Sequence, residues 1–203
     1  MSKPLPPPLP ARRKVRIISQ PQVLLILILS FVTLLVIVRL TGLACPYTMP
    51  TSGMDPTISA GDHFLVEGFS YLFRKPKRGD IAAFKTDRIP EIPANMANQV
   101  YLKRIVGEPG DKLQIMDENL YVNGTNAHLQ NEAGPIRYVF LEQTKYLRSS
   151  NEVVTVPEKS YFVIGDNTGN SFDSRSWGFV PAKSIKGRAC FRYISTNTVG
   201  RIK

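Results

Sequence analysis

The sequence predicts a mainly β protein: a coiled antiparallel β-sheet domain behind a single N-terminal transmembrane helix. Three observations lead there. Residues 23–38 form one apolar run whose only polar members are Ser30 and Thr33. Beyond that run no sustained 3.6-residue apolar period appears. The remainder breaks instead into short segments rich in β-branched and aromatic residues, punctuated by Gly, Pro, Asn and Asp.

The N-terminal leader, residues 1–21, is basic and rich in proline. Lys3, Arg12, Arg13, Lys14 and Arg16 carry about half of the formal net charge of +10, and no acid accompanies them. The prolines between residues 4 and 10 favour an extended segment without internal hydrogen bonds. The next element, 22–43, is long enough to cross a bilayer core, which takes roughly 20 residues or 30 Å of helix. A helix apolar all round has no place in the core of a domain this small. The rival reading is a cleavable signal peptide, with Gly42-Leu43-Ala44 as a possible cut site. Positive charge ahead of the span places the amino end in the cytoplasm and sends residues 45–203 across the membrane. The expected location is thus the plasma (inner) membrane, single-pass, in contact with lipid. The basic leader becomes a topology signal, and nucleic acid is not expected as a partner.

Residues 45–203 hold the β domain. Strands are expected at 63–66, 80–84, 100–106, 113–116, 120–122, 136–141, 153–156, 161–164 and 189–194. Asn123-Gly124 signals a hairpin turn, and Gly61-Asp62, Gly79-Asp80, Gly110-Asp111 and Gly165-Asp166 mark further turns. Residues 86–99, with Pro90 and Pro93, read as an irregular surface loop.

His63 and His128 stand alone, and no metal-ligand spacing surrounds them. Cys45 and Cys190 are candidates for a disulfide only if their backbones come within reach. Lys103 carries more chemistry. In Val100-Tyr101-Leu102-Lys103-Arg104-Ile105-Val106, alternation puts Tyr101, Lys103 and Ile105 on one strand face. An ammonium among apolar groups loses hydration, its pKa falls, and the neutral amine becomes available as a base. Arg104 stays protonated and cannot take that part. Two further segments are dense in useful groups. Pro50-Thr51-Ser52-Gly53-Met54-Asp55-Pro56-Thr57 offers hydroxyls on a loop stiffened by prolines. Residues 165–178, GDNTGNSFDSRSWG, suggest a polar network beneath a site.

Together these segments resemble the type I signal peptidases, membrane-anchored serine proteases with a Ser-Lys dyad. Residues 50–62, 77–81, 101–111 and 165–178 match the family's boxes in order. The resemblance implies a β catalytic domain, with Lys103 as general base and Ser171 as a hydroxyl orienting it. Asp173 and Arg175 then form a supporting ion pair. It implies secretory preproteins as substrates, cut after small side chains, and no metal or organic cofactor. Two departures stand out. Thr168-Gly169 replaces the usual Arg-Asp, and Gly53 occupies the nucleophile column of the pattern Pro-Ser-Gly-Ser-Met-x-Pro-Thr. Ser52 is then the candidate nucleophile, shifted by one residue, with Thr51 assisting the oxyanion. The alternatives are a peptidase-like binder that has lost its nucleophile, and a dedicated conjugation-type maturation peptidase.

Overall fold

The computed structural model describes residues 19–40, 44–195 and 198–202, so residues 1–18 of the predicted 1–21 leader and the predicted anchor's last residues, 41–43, lie outside them. The chain separates into two units, Met1–Ile37 and Val38–Lys203.

The first unit is dominated by α1 (Gln20–Leu40). Pro21 sits in its first turn, where a missing N–H costs nothing, and Gln22 Oε1 accepts the Ser19 N–H at 3.0 Å. Thr33, a polar member of the run, satisfies itself by donating to the Leu29 carbonyl at 2.8 Å. Over Gln20–Val38 the mean hydropathy is 2.7 and no residue is buried, the composition and length of a bilayer-crossing helix.

The second unit is built on antiparallel strands. In chain order they are β1 (Ala44–Thr48), β2 (His63–Glu67), β3 (Ile81–Lys85), β4 (Val100–Gly107), β5 (Lys112–Met116), β6 (Asn119–Val122) and β7 (Thr125–Asn126). There follow β8 (Gln130–Asn131), β9 (Gly134–Pro135), β10 (Val154–Thr155), β11 (Ser160–Ile164), β12 (Val180–Pro181), β13 (Ile185–Ile194) and β14 (Gly200–Arg201). The main sheet curls in the order β1-β2-β13-β3-β4-β11-β12, with β14 also on β13. A smaller sheet runs β10-β5-β6-β7, and β8 pairs with β9. Two short helices, α2 (Ser70–Phe73) and α3 (Ser174–Trp177), punctuate the strands.

The central strands are apolar on both faces because both faces are covered. On β3, Ile81 and Ala83 join a cluster with Met54, Phe64, Val66 and Leu102, while Ala82 and Phe84 join one with Ile105, Val163 and Trp177. On β11, Tyr161 and Val163 face that second cluster, and Phe162 and Ile164 face a third with Leu113, Ile115 and Leu120. Period-two alternation thus feeds different cores from one strand. The Asn123-Gly124 hairpin forms as expected: both residues take positive φ, 53° and 81°, between β6 and β7.

Two expectations need correction, and the pairing of Cys45 and Cys190, which the sequence left open, is answered. Residues 136–141 are not a strand. Ile136 and Tyr138 are buried in alternation, but the Arg137 carbonyl accepts from Thr168 Oγ1 at 2.6 Å and the Val139 carbonyl from Arg175 Nη1 at 2.9 Å. Side chains take the acceptors that a ladder would have used. The 86–99 segment is not a bare surface loop, since Ile89 and Ile92 are buried in the Trp177 cluster and a 3₁₀ turn spans Ala94–Met96. Cys45 and Cys190 lie on opposite sides of β2, with Cys45 facing Val66 and β13 pairing from the other edge. Two strand spacings, roughly 10 Å, exceed disulfide reach, and both thiols are free.

Candidate active site

The segment between β1 and β2 is closed at its base by two backbone bonds, Met49 N–H to the Asp62 carbonyl at 2.9 Å and Gly61 N–H to the Met49 carbonyl at 2.8 Å. Met54 and Ile58, both fully buried, plug it into the sheet core, and the Ile58 N–H donates to the Met54 carbonyl at 3.0 Å. That plug holds Thr51, Ser52 and Gly53 at the mouth of a cleft of about 380 Å³. Lys103, from β4, lines the same cleft, together with Asn170 and Ser171 from the segment after β11. Tyr47, Met49, Phe64, Val66, Ala83 and Leu102 supply apolar wall.

A second set of contacts stitches the 51–57 segment to the 165–175 segment. Thr57 Oγ1 donates to Asp166, whose carboxylate also takes a bidentate pair from Arg104 Nε and Nη2, each at 2.7 Å. All three side chains are buried, so the charges are compensated where water cannot reach them. Arg192 donates to the Thr57 carbonyl and pairs with Glu132 at 3.0 Å. Asn167 Nδ2 donates to the Ser52 carbonyl at 3.1 Å, and Asn170 Nδ2 to Ser52 Oγ at 3.2 Å. In that last bond the amide is the donor, so the Ser52 hydroxyl hydrogen remains free for another acceptor.

Lys103 is 7% exposed, and among the described residues no carboxylate lies within ion-pair distance of its Nζ. Burial is the largest influence and pushes its pKa below the ordinary 10.5; Asp173 and Asp166 pull the other way. Both carboxylates are already committed, Asp166 to Arg104 and Asp173 to Arg175 at 2.8 Å. The Asp173–Arg175 pair is fully buried, and Arg175 also donates to the Thr168 carbonyl at 2.7 Å. These contacts tie down the segment from which Asn170 and Ser171 project.

The close packing is recorded in two glycines. A Cβ on Gly53 would stand 3.2 Å from Lys103 Nζ, 3.6 Å from the Asn170 carbonyl oxygen and 3.8 Å from Thr51 Oγ1. A Cβ on Gly165 would collide with Ser171 Oγ and with the Gly53 carbonyl. Position 53 therefore adjoins the lysine directly, and Gly165 is the floor on which the 51–53 loop rests.

The sequence-predicted residues Thr51, Ser52, Lys103 and Ser171 all line one cleft. Ser171 Oγ is buried without a hydrogen-bond partner among the described residues, so the expected bond to Lys103 is not formed. Asn167 and Asn170 were not singled out from sequence, although they lie in the polar-dense segment, and neither was the Thr57–Asp166–Arg104 network. His63 sits on β2 beside Thr48 and His128 in a turn after β7, both outside the cleft. No group of three or more His, Cys, Asp or Glu that could hold a metal ion occurs among the described residues.

Comparison with known proteins bears on this arrangement. The family model described as signal peptidase, peptidase S26, matches residues 22–194. The chain is similar to a probable signal peptidase I-2 of Synechocystis, 37% identical over 153 residues, covering 75% of this chain and 64% of that one. It is 38% identical over 162 residues to a probable chloroplastic thylakoidal processing peptidase 2 of Arabidopsis thaliana, covering 80% of this chain and 41% of that one. Signal peptidase IB of Staphylococcus aureus is 32% identical over 177 residues, covering 82% of this chain and 87% of that one. The chain thus spans less than two thirds of the length of the first two relatives.

Proposed function

The chain belongs to the signal peptidase family, peptidase S26, and on that premise we propose that it is a serine endopeptidase that removes signal peptides from exported preproteins. The observation that carries the proposal is the desolvated Lys103 Nζ, 3.2 Å from where a side chain would begin at position 53, facing a cleft that also holds Ser52. The relatives, several of them signal peptidases, favour preprotein processing over a dedicated maturation activity.

In this reading neutral Lys103 accepts the Ser52 proton as Oγ adds to the scissile carbonyl carbon. The carbonyl π electrons move to oxygen, and the resulting oxyanion is met by the Thr51 hydroxyl and backbone N–H groups of the loop. The tetrahedral intermediate collapses, the C–N bond breaks, and Lys103 gives its proton to the departing amine. Lys103 then deprotonates a water molecule that attacks the acyl-enzyme ester, releasing the carboxylate and restoring the Ser52 hydroxyl. General-base assistance is worth about 10²–10⁴-fold, and an oxyanion donor about 10²–10³-fold. Asn170, donating to Ser52 Oγ, stabilises negative charge there while leaving the proton free to move.

The apolar wall of the cleft suits small uncharged side chains near the cut, and no carboxylate lines it. Strands β1 and β4 both border it, so an extended substrate segment can hydrogen-bond as an added strand. The organisation proposed is a leader at 1–21 on the cytoplasmic side, an anchor at 22–43 in the plasma membrane, and an extracytoplasmic domain at 45–203. Purified full-length protein incubated with a preprotein tests the reading: cleavage is expected from the parent and lost on Lys103→Ala and on Ser52→Ala. Cleavage surviving Ser52→Ala overturns the nucleophile assignment.

A further inference from the structure

Lys103 has a reactivity that proton transfer does not use. It is the only buried lysine among the described residues, where every other lysine is exposed. Its Nζ makes no hydrogen bond and no ion pair among them. Burial favours the uncharged amine, whose lone pair is a nucleophile as well as a base. The space beside the nitrogen is unfilled. Gly53 carries no side chain, and a Cβ there would stand 3.2 Å from Nζ, so the cleft keeps room for a small group at that point. Three hydroxyls surround the gap. Thr51 Oγ1 would lie 3.8 Å from the same Cβ, Ser52 Oγ accepts from Asn170 with its own hydrogen uncommitted, and Ser171 Oγ is buried without a partner among the described residues. A buried hydroxyl in that state calls for an acceptor.

The surroundings select the electrophile. Met49, Phe64, Val66, Ala83 and Leu102 wall the cleft, which admits a small uncharged molecule more readily than an ion. No carboxylate lines it, and the two acids nearest in influence, Asp166 and Asp173, are neutralised by Arg104 and Arg175. A new anion at Nζ would therefore meet hydroxyl donors rather than unpaired negative charge. Carbon dioxide is apolar on entry and gives a product with two acceptor oxygens. An aldehyde would leave an imine with none. We propose that Lys103 Nζ captures carbon dioxide reversibly as a carbamate, seated beside Gly53 on the hydroxyls of Thr51 and Ser171, and that this modification switches the peptidase site off. The Nζ lone pair forms the N–C bond, one C=O π pair moves to oxygen, and the proton leaves nitrogen for water. The carbamate nitrogen, its lone pair delocalised, no longer serves as base. The switch rests on Lys103 being the base and is independent of which hydroxyl attacks.

The experiment equilibrates the full chain with isotope-labelled bicarbonate, the source of carbon dioxide, and reads it by carbon NMR. Preprotein cleavage is followed in parallel at constant pH and ionic strength. A carbamate resonance is expected in the parent and lost on Lys103→Ala. Ser171→Ala is expected to need about tenfold more bicarbonate for the same intensity, the loss of one hydrogen bond to a charged acceptor. Gly53→Ala is expected to weaken the resonance by filling the gap. Cleavage by the parent is expected to fall as the resonance grows and to return when carbon dioxide is removed by degassing. That titration needs no variant, so a substitution that fails to fold does not decide the outcome. A parent that cleaves but shows no Lys103-dependent resonance overturns the proposal and leaves the peptidase reading intact. A resonance indifferent to both Ser171→Ala and Gly53→Ala overturns the assigned seat. Cleavage unchanged or faster at full resonance overturns the switch. A Lys103-dependent resonance in a parent that cleaves no preprotein supports the modification and counts against the peptidase reading.

Discussion

Gly165→Ala tests the close packing on which the active-site argument depends. A Cβ at this position would stand 2.7 Å from Ser171 Cβ and closer still to Ser171 Oγ and the Gly53 carbonyl oxygen. The obstruction is steric, because Gly165 does not use the positive φ that favours glycine. Two segments can yield: that of Ser171, anchored by the buried Asp173–Arg175 pair, and the 51–53 loop, whose grip on its neighbours is a few hydrogen bonds. Overpacking of this kind costs about 1–3 kcal/mol. The loop that moves carries Ser52, and a displacement of about 1 Å at a reacting group can cost about 10²-fold. The variant is therefore expected to unfold at lower urea concentration and to show kcat reduced about 10²-fold, with KM changed little. Urea denaturation and steady-state cleavage of a preprotein read the two effects separately. Parent-like stability together with parent-like kcat would refute the reasoning, as would a loss of stability with kcat intact.

Other outcomes follow from the same geometry. Gly53→Ser in a Ser52→Ala background puts a hydroxyl on a Cβ 3.2 Å from Lys103 Nζ, and cleavage is expected to return; a persistently inactive double variant counts against Lys103 as the base. Burial lowers the Lys103 pKa and the base must be neutral, so kcat/KM is expected to rise with pH through that lowered value; a profile flat from acid to alkaline pH contradicts it. The same sign governs stability. The folded state disfavours the ammonium, so Lys103→Met is expected to be more stable than the parent below the folded pKa, with the difference shrinking as pH rises toward 10.5. Arg175→Ala strands the fully buried Asp173 carboxylate and releases the Val139 and Thr168 carbonyls; a loss of about 3–5 kcal/mol is expected in denaturant titration.

Sequence reasoning reached furthest where local chemistry decides the outcome. The apolar run from 23 to 38, the Asn123-Gly124 turn and the alternation around Lys103 each depend on neighbours close in the chain. It failed where distant side chains intervene. Residues 136–141 have strand composition, yet Thr168 and Arg175, 31 and 36 positions further along, take the Arg137 and Val139 carbonyls. The cysteines could not be judged until the strand between them was known. The candidate site divides the same way. Thr51, Ser52, Lys103 and Ser171 were legible as residue types in ordered motifs. That Asn170 would hold Ser52, that Ser171 Oγ would make no bond, and that Thr57 would share Asp166 with Arg104 are consequences of folding together segments more than 60 residues apart.

The position of β13 bears on when this molecule becomes complete. It is among the last strands in the chain, yet it lies between β2 and β3 in the main sheet, bonding Glu67 from Arg188 across 121 positions. A chain emerging amino end first has already displayed β2 and β3 with their facing edges unfilled, and closure waits for Ile185–Ile194 to arrive. Met54, Phe64 and Val66 share their cluster with Ala189, so the walls of the cleft are unsupported until then. The residues that line the cleft are thus made well before the strand that supports them, and the cleft takes shape only once Ile185–Ile194 has been added.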